Sequence, residues 1–547
     1  VTERAQETTS GSAASAPKMR VCSGGLGLRP HPRPRCEYVP VDSGLVKSLA
    51  DRTTALVGWT LAWRATSAAA TLALGSYLAH VLPPAEYGRY TLVLSVLVYL
   101  ALLATFGQDQ GLLRYLPEVL AGDDRAAAYD LLRKSALSIL LVWAAVSGIV
   151  VVLRPAIDQA LHARVADLLA LGTVLLLAGI AAGVLSFALV AIYDMRSQAL
   201  ATPVAGAITL VLAVAFLRRG GHIGSVLVAG AVGQALLAFF YFLVLRRNVS
   251  RRTGTAGQPI GWRRLLVYAS GWLPSLLIAS AVGLQFESLF LTRFWGTTQV
   301  AFYDTGYNIP QRLVALIPSL LTGAWVVSTL EQAGGEAGRL RAAVLAFYKG
   351  ILLIAFPLAF GVGALLRPVI PLLYTRKLAP AADIAPVLLA CFVLVLLVAP
   401  WGLVVRVREL AWLNALVNIA QVGFAAVMDL LLIRAFGLWG AVAAVALTSV
   451  LTVGLTLGIW YWADRTSLAV PWRYGGRCLL AALPITLLVP LALAGIRLSY
   501  LLVAAVITTA AWLWLVRQLR LLDADEVPLL HQSRHAPIRF ALRYLAP

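Results

Sequence analysis

Long apolar runs dominate this sequence, and the few ionisable residues inside them are the candidates for chemistry. A charge at membrane depth is costly unless it is paired or solvated. Arg64 lies eight residues into the first run, about 12 Å along a helix axis at a rise of 1.5 Å per residue. It suits either a cationic cavity wall that meets a lipid phosphate or a structural arginine that snorkels or pairs. Glu287 and Arg312 flank the turn between the seventh and eighth runs, each about 12–14 Å from it. Antiparallel helices would bring them to one depth as an ion pair. That pair reads either as a buried structural bridge or as a substrate or cation site that re-pairs as the protein changes state. Arg293 and Asp429 fall near the outer ends of the seventh and eleventh runs and read as interfacial. Arg293 also counts among the cavity candidates, and Asp429 with Glu287 forms a candidate ion site. Asp109 and Arg114 close the second run at its cytoplasmic face, as a local ion pair or cap, or as a gate contact that meets a diphosphate. Arginine suits the last role because its planar fork binds phosphate oxygens bidentately.

Other chemistries are missing their residues. No GxxxxGK[ST] stretch exists to hold ATP, and no His-Glu-x-x-His to hold zinc. Cys391 and Cys478 sit in apolar runs; Cys22 and Cys36, near His31, lack zinc-finger spacing. No metal and no cofactor are expected. The largest outer loops, Arg154–Asp167 and Arg367–Ile384, are too short to fold as a catalytic domain, so the expectation is a protein that is not an enzyme.

The elements that position these residues follow from composition. The 547 residues are 60% hydrophobic and 13% charged, where a soluble domain is about 25% charged. Fourteen apolar runs of spanning length, from Leu56–Val81 to Tyr500–Val516, predict an all-α polytopic membrane protein with both termini on one side. With the termini inside, cytoplasmic segments carry about 31 of the 45 Lys and Arg and the outer loops about 10, as the positive-inside rule requires. The net charge of +20 is therefore directed at anionic membrane lipids rather than nucleic acid. Residues 1–53, rich in Ser, Pro and Arg with no signal-peptide pattern, read as a disordered cytoplasmic tail. Residues 54–245 form a first six-helix bundle, 246–264 a basic cytoplasmic linker and 265–462 a second six-helix bundle. Residues 463–517 add two further spans, and 518–547 form a cytoplasmic tail that reads as amphipathic, with Arg534, Arg539 and Arg543. Prolines within or beside spans, among them Pro203, Pro357, Pro400 and Pro484, permit kinks or hinges.

The halves repeat. Val81–Leu92 reads VLPPAEYGRYTL, and 213 residues later Phe294–Thr305 reads FWGTTQVAFYDT, each just after the first span of its half. The offset covers an even number of spans, so the repeat is parallel, with a pseudo-twofold axis along the membrane normal.

From about Leu56 to Trp462 the chain resembles the polysaccharide-synthesis branch (O-antigen-type flippases) of the multidrug/oligosaccharidyl-lipid/polysaccharide exporter superfamily. Four stretches in family order carry the resemblance: HVLPPAEYGRY (His80–Tyr90), FGQDQGLLRYLPE (Phe106–Glu118), RPVIPLLYTRKLAPAADIAPVLL (Arg367–Leu389) and MDLLLIRAFGLWGAVAA (Met428–Ala444). The resemblance implies two bundles facing a central cavity. It also implies an acidic residue, more often Asp, where Glu287 stands and a basic one at Arg312.

The expected function is the flipping of undecaprenyl-diphosphate-linked oligosaccharide across the inner membrane by alternating access. Arg64 and Arg312 would neutralise phosphate, and glycan polymerase or glycosyltransferase machinery would be partners. The rivals are a cation-coupled drug exporter, a peptidoglycan-precursor flippase, and a membrane-embedded polymerase or acyltransferase. An apparent excess of arginine over acid at membrane depth weighs against the drug exporter.

Overall fold

The computed structural model describes residues 18–22, 36–40, 63, 65–121, 125–192, 194–250, 260–283, 286–332, 337–408, 410–468, 470–494 and 498–521. Arg64 falls outside them, as do most of the N-terminal tail and the C-terminal stretch from residue 522. In the tail predicted to lack regular structure, β1 (Lys18–Cys22) and β2 (Cys36–Pro40) pair antiparallel, Cys22 opposite Cys36. These two short runs, each with a β-branched valine, favour extended backbone.

The other described elements are helical. The first half comprises α1 (residues 65–81), α2 (Pro84–Thr105), α3 (Gln108–Ala121), α4 (Arg125–Val152), α5 (Arg154–Leu161), α6 (Ala166–Ala191), α7 (Met195–Arg218) and α8 (Ile223–Ser250). The second comprises α9 (Trp262–Gly283), α10 (Glu287–Trp295), α11 (Thr297–Gln332), α12 (Ala337–Pro357), α13 (Gly363–Leu373), α14 (Ala379–Leu396), α15 (Trp401–Val407), α16 (Ala411–Met428) and α17 (Arg434–Asp464). A final group, α18 (Trp472–Thr486), α19 (Leu488–Leu493) and α20 (Leu498–Gln518), packs on α12 and α13.

Among the described residues, ten helical segments are long and apolar enough to cross a bilayer, and one of them, Trp412–Asp464, is two spans that meet at Gly437. The other three predicted spans fall on α1, on α9 with α10, and on α11. The chain is a multi-pass membrane protein.

Local sequence explains many of the ends. Pro84 starts α2 where its missing N–H costs nothing. The Asp194 carboxylate caps α7 by accepting the Ser197 N–H at 3.1 Å. Pro357 is followed by a π-helical turn, Leu358–Val362, and Pro400 separates α14 from α15. The basic linker is shorter than predicted, because α8 carries Arg246 and Arg247 and α9 carries Arg263 and Arg264 in their end turns.

Packing repeats between the halves: α6 lies on α2 and α8, and α14 lies on α11 and α17. The starts of α2 at Pro84 and α11 at Thr297 differ by the same 213 residues as the sequence repeat. Those two helices meet at their beginnings. A Cβ added to Gly88 would lie 1.8 Å from the Thr297 carbonyl and 3.3 Å from the amide nitrogen of Ala301, the residue that Gly88 matches in the repeat. Equivalent residues meeting each other is what a pseudo-twofold axis between α2 and α11 demands. Gly88→Ala is accordingly expected to push α2 off α11 at a cost of about 1–3 kcal/mol. The readout is the thermal midpoint of purified protein in detergent, and an unchanged midpoint would show that the contact is not built as described.

At the other end, the halves meet through α3 and α9. Phe106 and Gly107 both have positive φ (50° and 69°), which turns the chain from α2 directly into α3. Gly107 has a second constraint, since a Cβ there would come within 2.2 Å of the Ala269 carbonyl on α9.

Candidate functional site

The seventh predicted span, Leu265–Phe294, falls on α9 and α10. Glu287 stands in the first turn of α10, where the helix dipole favours a carboxylate. Across from it, α16 passes into a π-helical turn, Asp429–Ile433. Asp429 opens that turn and is only 1% exposed. Trp295 at the end of α10 ties the two elements together, its indole N–H donating to the Ile433 carbonyl at 2.7 Å.

Glu287 and Asp429 line one cavity of about 460 Å³, together with Tyr307, Gln311, Gln421 and Thr448 and an otherwise largely apolar wall. Glu287 Oε2, Asp429 Oδ2 and Thr448 Oγ1 are buried without a hydrogen-bond partner among the described residues. Tyr99, Tyr303 and Tyr307 lie within electrostatic reach of both carboxylates. Two ionised carboxylates in such a setting require a compensating cation or a proton. Asp429 reads as interfacial from its position near a span end; the structure instead buries it among the helices, where it lines this cavity with Glu287 as the candidate ion site expected.

A second cavity, of about 240 Å³, lies between the halves, walled by α1, α2, α11 and Tyr374. Arg312, Asp304 and Asn308 line it, and Asn308 Nδ2 donates to Asp304 Oδ1 at 2.7 Å. The predicted Glu287–Arg312 pair does not form. On α11, Tyr307 and Val314 face the first cavity whereas Asp304, Asn308 and Arg312 face the second, and Gln311 borders both. At 100° per residue Arg312 points away from the face that meets Glu287. Equal depth was inferred from the sequence; direction was not.

Arg293 is exposed and donates to His162 Nε2 at 2.8 Å, linking α10 to the loop after α5. Asp109 and Arg114 do not pair with each other: Asp109 accepts from Gln110 Nε2 at 2.8 Å, and Arg114 meets Glu118 at 3.4 Å. Glu118 also meets Arg264 of the second half at 3.7 Å, and the Arg264 guanidinium lies over the Tyr115 ring, 5.0 Å from its centroid. This contact joins the halves at their predicted cytoplasmic end.

Sequence reasoning missed Asp304, Gln421 and Glu118. Asp304 stands at the extreme edge of a predicted span, Gln421 is uncharged, and Glu118 is one of many charges in a polar segment. Among the described residues, the two cavities hold Glu287, Asp429 and Asp304 against Arg312; Arg64, which entered the predicted excess of arginine, lies outside those residues. No group of three or more His, Cys, Asp or Glu that could hold a metal occurs among the described residues.

Residues 57–326 match the family model of polysaccharide biosynthesis proteins. Among solved structures, the fold is similar to that of the lipid II flippase MurJ in an inward closed conformation (TM-score 0.65, 10% identity, covering 87% of this chain and 98% of that one). It is also similar to a eukaryotic MATE transporter (0.55, 13%, 81% and 100%) and to an inward-facing multidrug resistance MATE family transporter of the MOP superfamily (0.54, 16%, 74% and 96%). No curated protein matches the chain at a significant level.

Proposed function

We propose that this chain, in which residues 57–326 match the family model of polysaccharide biosynthesis proteins, is a member of that family within the multidrug/oligosaccharidyl-lipid/polysaccharide superfamily and flips undecaprenyl-diphosphate-linked oligosaccharide from the cytoplasmic to the outer leaflet of the inner membrane. The observation that carries this reading is Arg312 in a cavity between the two halves that also presents Asp304, Asn308 and Gln311. A diphosphate needs a fixed cation in a site shielded from water, and a sugar needs hydrogen-bonding walls. The prenyl tail stays in lipid while the head group crosses, and the halves rock about the axis between α2 and α11.

Glu287 and Asp429 are the coupling site of this reading. A cation or proton bound there relieves their repulsion and stabilises one packing of α10 against the π-helical turn. Both termini face the cytoplasm, as the distribution of Lys and Arg favours. The three cavity carboxylates also favour a second reading, a cation-coupled exporter of cationic drugs.

Purified protein in proteoliposomes, given a fluorescent prenyl-diphosphate-linked sugar, tests the choice. Protein-dependent loss of label from one leaflet is the expected result. Absence of flipping for any lipid-linked sugar, together with gradient-driven uptake of ethidium, would establish the drug exporter instead.

The contact between Glu118 and Arg264 predicts a charge-swap result. Glu118→Arg places like charges across the junction and is expected to change the flipping rate at least severalfold. Adding Arg264→Glu restores opposite charges and is expected to recover most of the wild-type rate. Exposed pairs contribute about 0.2–1 kcal/mol, so the effect appears in the rate rather than in stability. Failure of the double variant to recover would remove Glu118 from the gate.

A further inference from the structure

The cavity between the halves has two chemically different parts along α11. Arg312 stands eight residues beyond Asp304, about 12 Å along the helix at 1.5 Å per residue. Around Asp304 gather Tyr87 and Tyr90 from α2 and Tyr374 from the end of α13, all three lining the cavity and within electrostatic reach of that carboxylate. They are deeply buried, at 4%, 8% and 4% exposure. Gly75 on α1 leaves the space between them: a Cβ there would already touch the Tyr87 hydroxyl at 3.5 Å and the Tyr374 ring at 3.6 Å. Three aromatic rings, a carboxylate and a carboxamide thus converge at one end of a cavity whose other end carries a guanidinium.

That combination fits a pyranose. Its C–H face packs on aromatic rings. Its hydroxyls donate to a carboxylate, an interaction stronger than one between neutral partners. A buried site of this kind favours a ligand that brings hydroxyls to it over one that does not. An aromatic cage beside a carboxylate also suits an organic cation. Here two features oppose that occupant: Asn308 already donates to Asp304, and the Arg312 charge lies in the same cavity.

We propose that Asp304, Asn308, Tyr87, Tyr90 and Tyr374 form a glycosyl subsite that holds the first sugar of the lipid-linked substrate and sets which glycans the protein accepts. The inference rests on the reading of Arg312 as the diphosphate ligand. The substrate then lies along α11, with its phosphates at Arg312 and its sugar toward α2. Asp304 and the tyrosines act on specificity, and Arg312 acts on every substrate alike.

Equilibrium binding to the full-length protein in detergent tests the assignment with three probes: undecaprenyl diphosphate, the same lipid bearing one N-acetylhexosamine, and ethidium. Wild type is expected to bind the glycosylated lipid at least tenfold more tightly than the bare diphosphate. Asp304→Asn and Tyr374→Leu are expected to bring that ratio close to one while leaving affinity for the bare lipid unchanged, which also reports that each variant is folded. The inference is overturned by a wild-type ratio near one, by variants that keep the wild-type ratio, or by variants that lose the bare lipid as well. Ethidium binding that depends on Asp304 overturns it in favour of a cation cage. Arg312→Gln separates the two readings. It is expected to weaken both lipids equally, and unchanged affinity for bare diphosphate would remove the phosphate role while leaving the sugar preference to be judged by the other variants.

Discussion

Arg312→Gln should lower the flipping of a prenyl-diphosphate-linked sugar by about tenfold to a hundredfold in proteoliposomes. A hydrogen bond to a charged group contributes about 1.5–3 kcal/mol, and each 1.4 kcal/mol is about a factor of ten. The side chain lies in the cavity between the halves, away from the carboxylates of Glu287 and Asp429, so its removal orphans neither of them. Folding should therefore survive, and the thermal midpoint should move little. Arg312→Lys keeps the charge but loses the bidentate fork, so its rate should fall between the other two. The measurement is initial rate at equal protein density. A wild-type rate in Arg312→Gln would exclude this residue from the transport path.

Glu287→Gln and Asp429→Asn should abolish the response to an imposed ion gradient without damaging the fold. Both side chains are buried in one cavity, and each leaves an oxygen without a protein partner. A charge at this depth costs about 2.5–3.5 kcal/mol on insertion scales. The neutral amides keep the shape and remove the repulsion, so the thermal midpoint should hold or rise. In vesicles with a sodium or proton gradient, wild type should flip faster than without one, and each variant should run at one rate under both conditions. Variants that still respond to the gradient would place coupling elsewhere.

The helical frame was legible because spanning a bilayer is a property of the local run. Each segment must satisfy its own backbone in lipid and offer apolar side chains to it. The fourteen spans could therefore be read one at a time. The repeat was legible for a related reason: the offset that aligns Val81–Leu92 with Phe294–Thr305 is the offset between the starts of α2 and α11. Resemblance to a family was readable from four short stretches, of which His80–Tyr90 and Phe106–Glu118 fall within the family match over residues 57–326.

The sites were legible only as a short list of buried charges. Which charges meet depends on side-chain direction, and a helix turns by 100° per residue. Glu287 at the start of α10, Asp429 in a π turn and the two cavities on either side of α11 are arrangements that no run of sequence displays. Sequence alone determined that this protein is a bundle of membrane helices built from two related halves, because hydrophobic length and local repetition are written residue by residue. Only the tertiary structure decided that Glu287 shares a cavity with Asp429 rather than with Arg312, and that Arg312 shares one with Asp304 between the halves. Those arrangements come from contacts between residues far apart in the chain, whose directions no single segment contains.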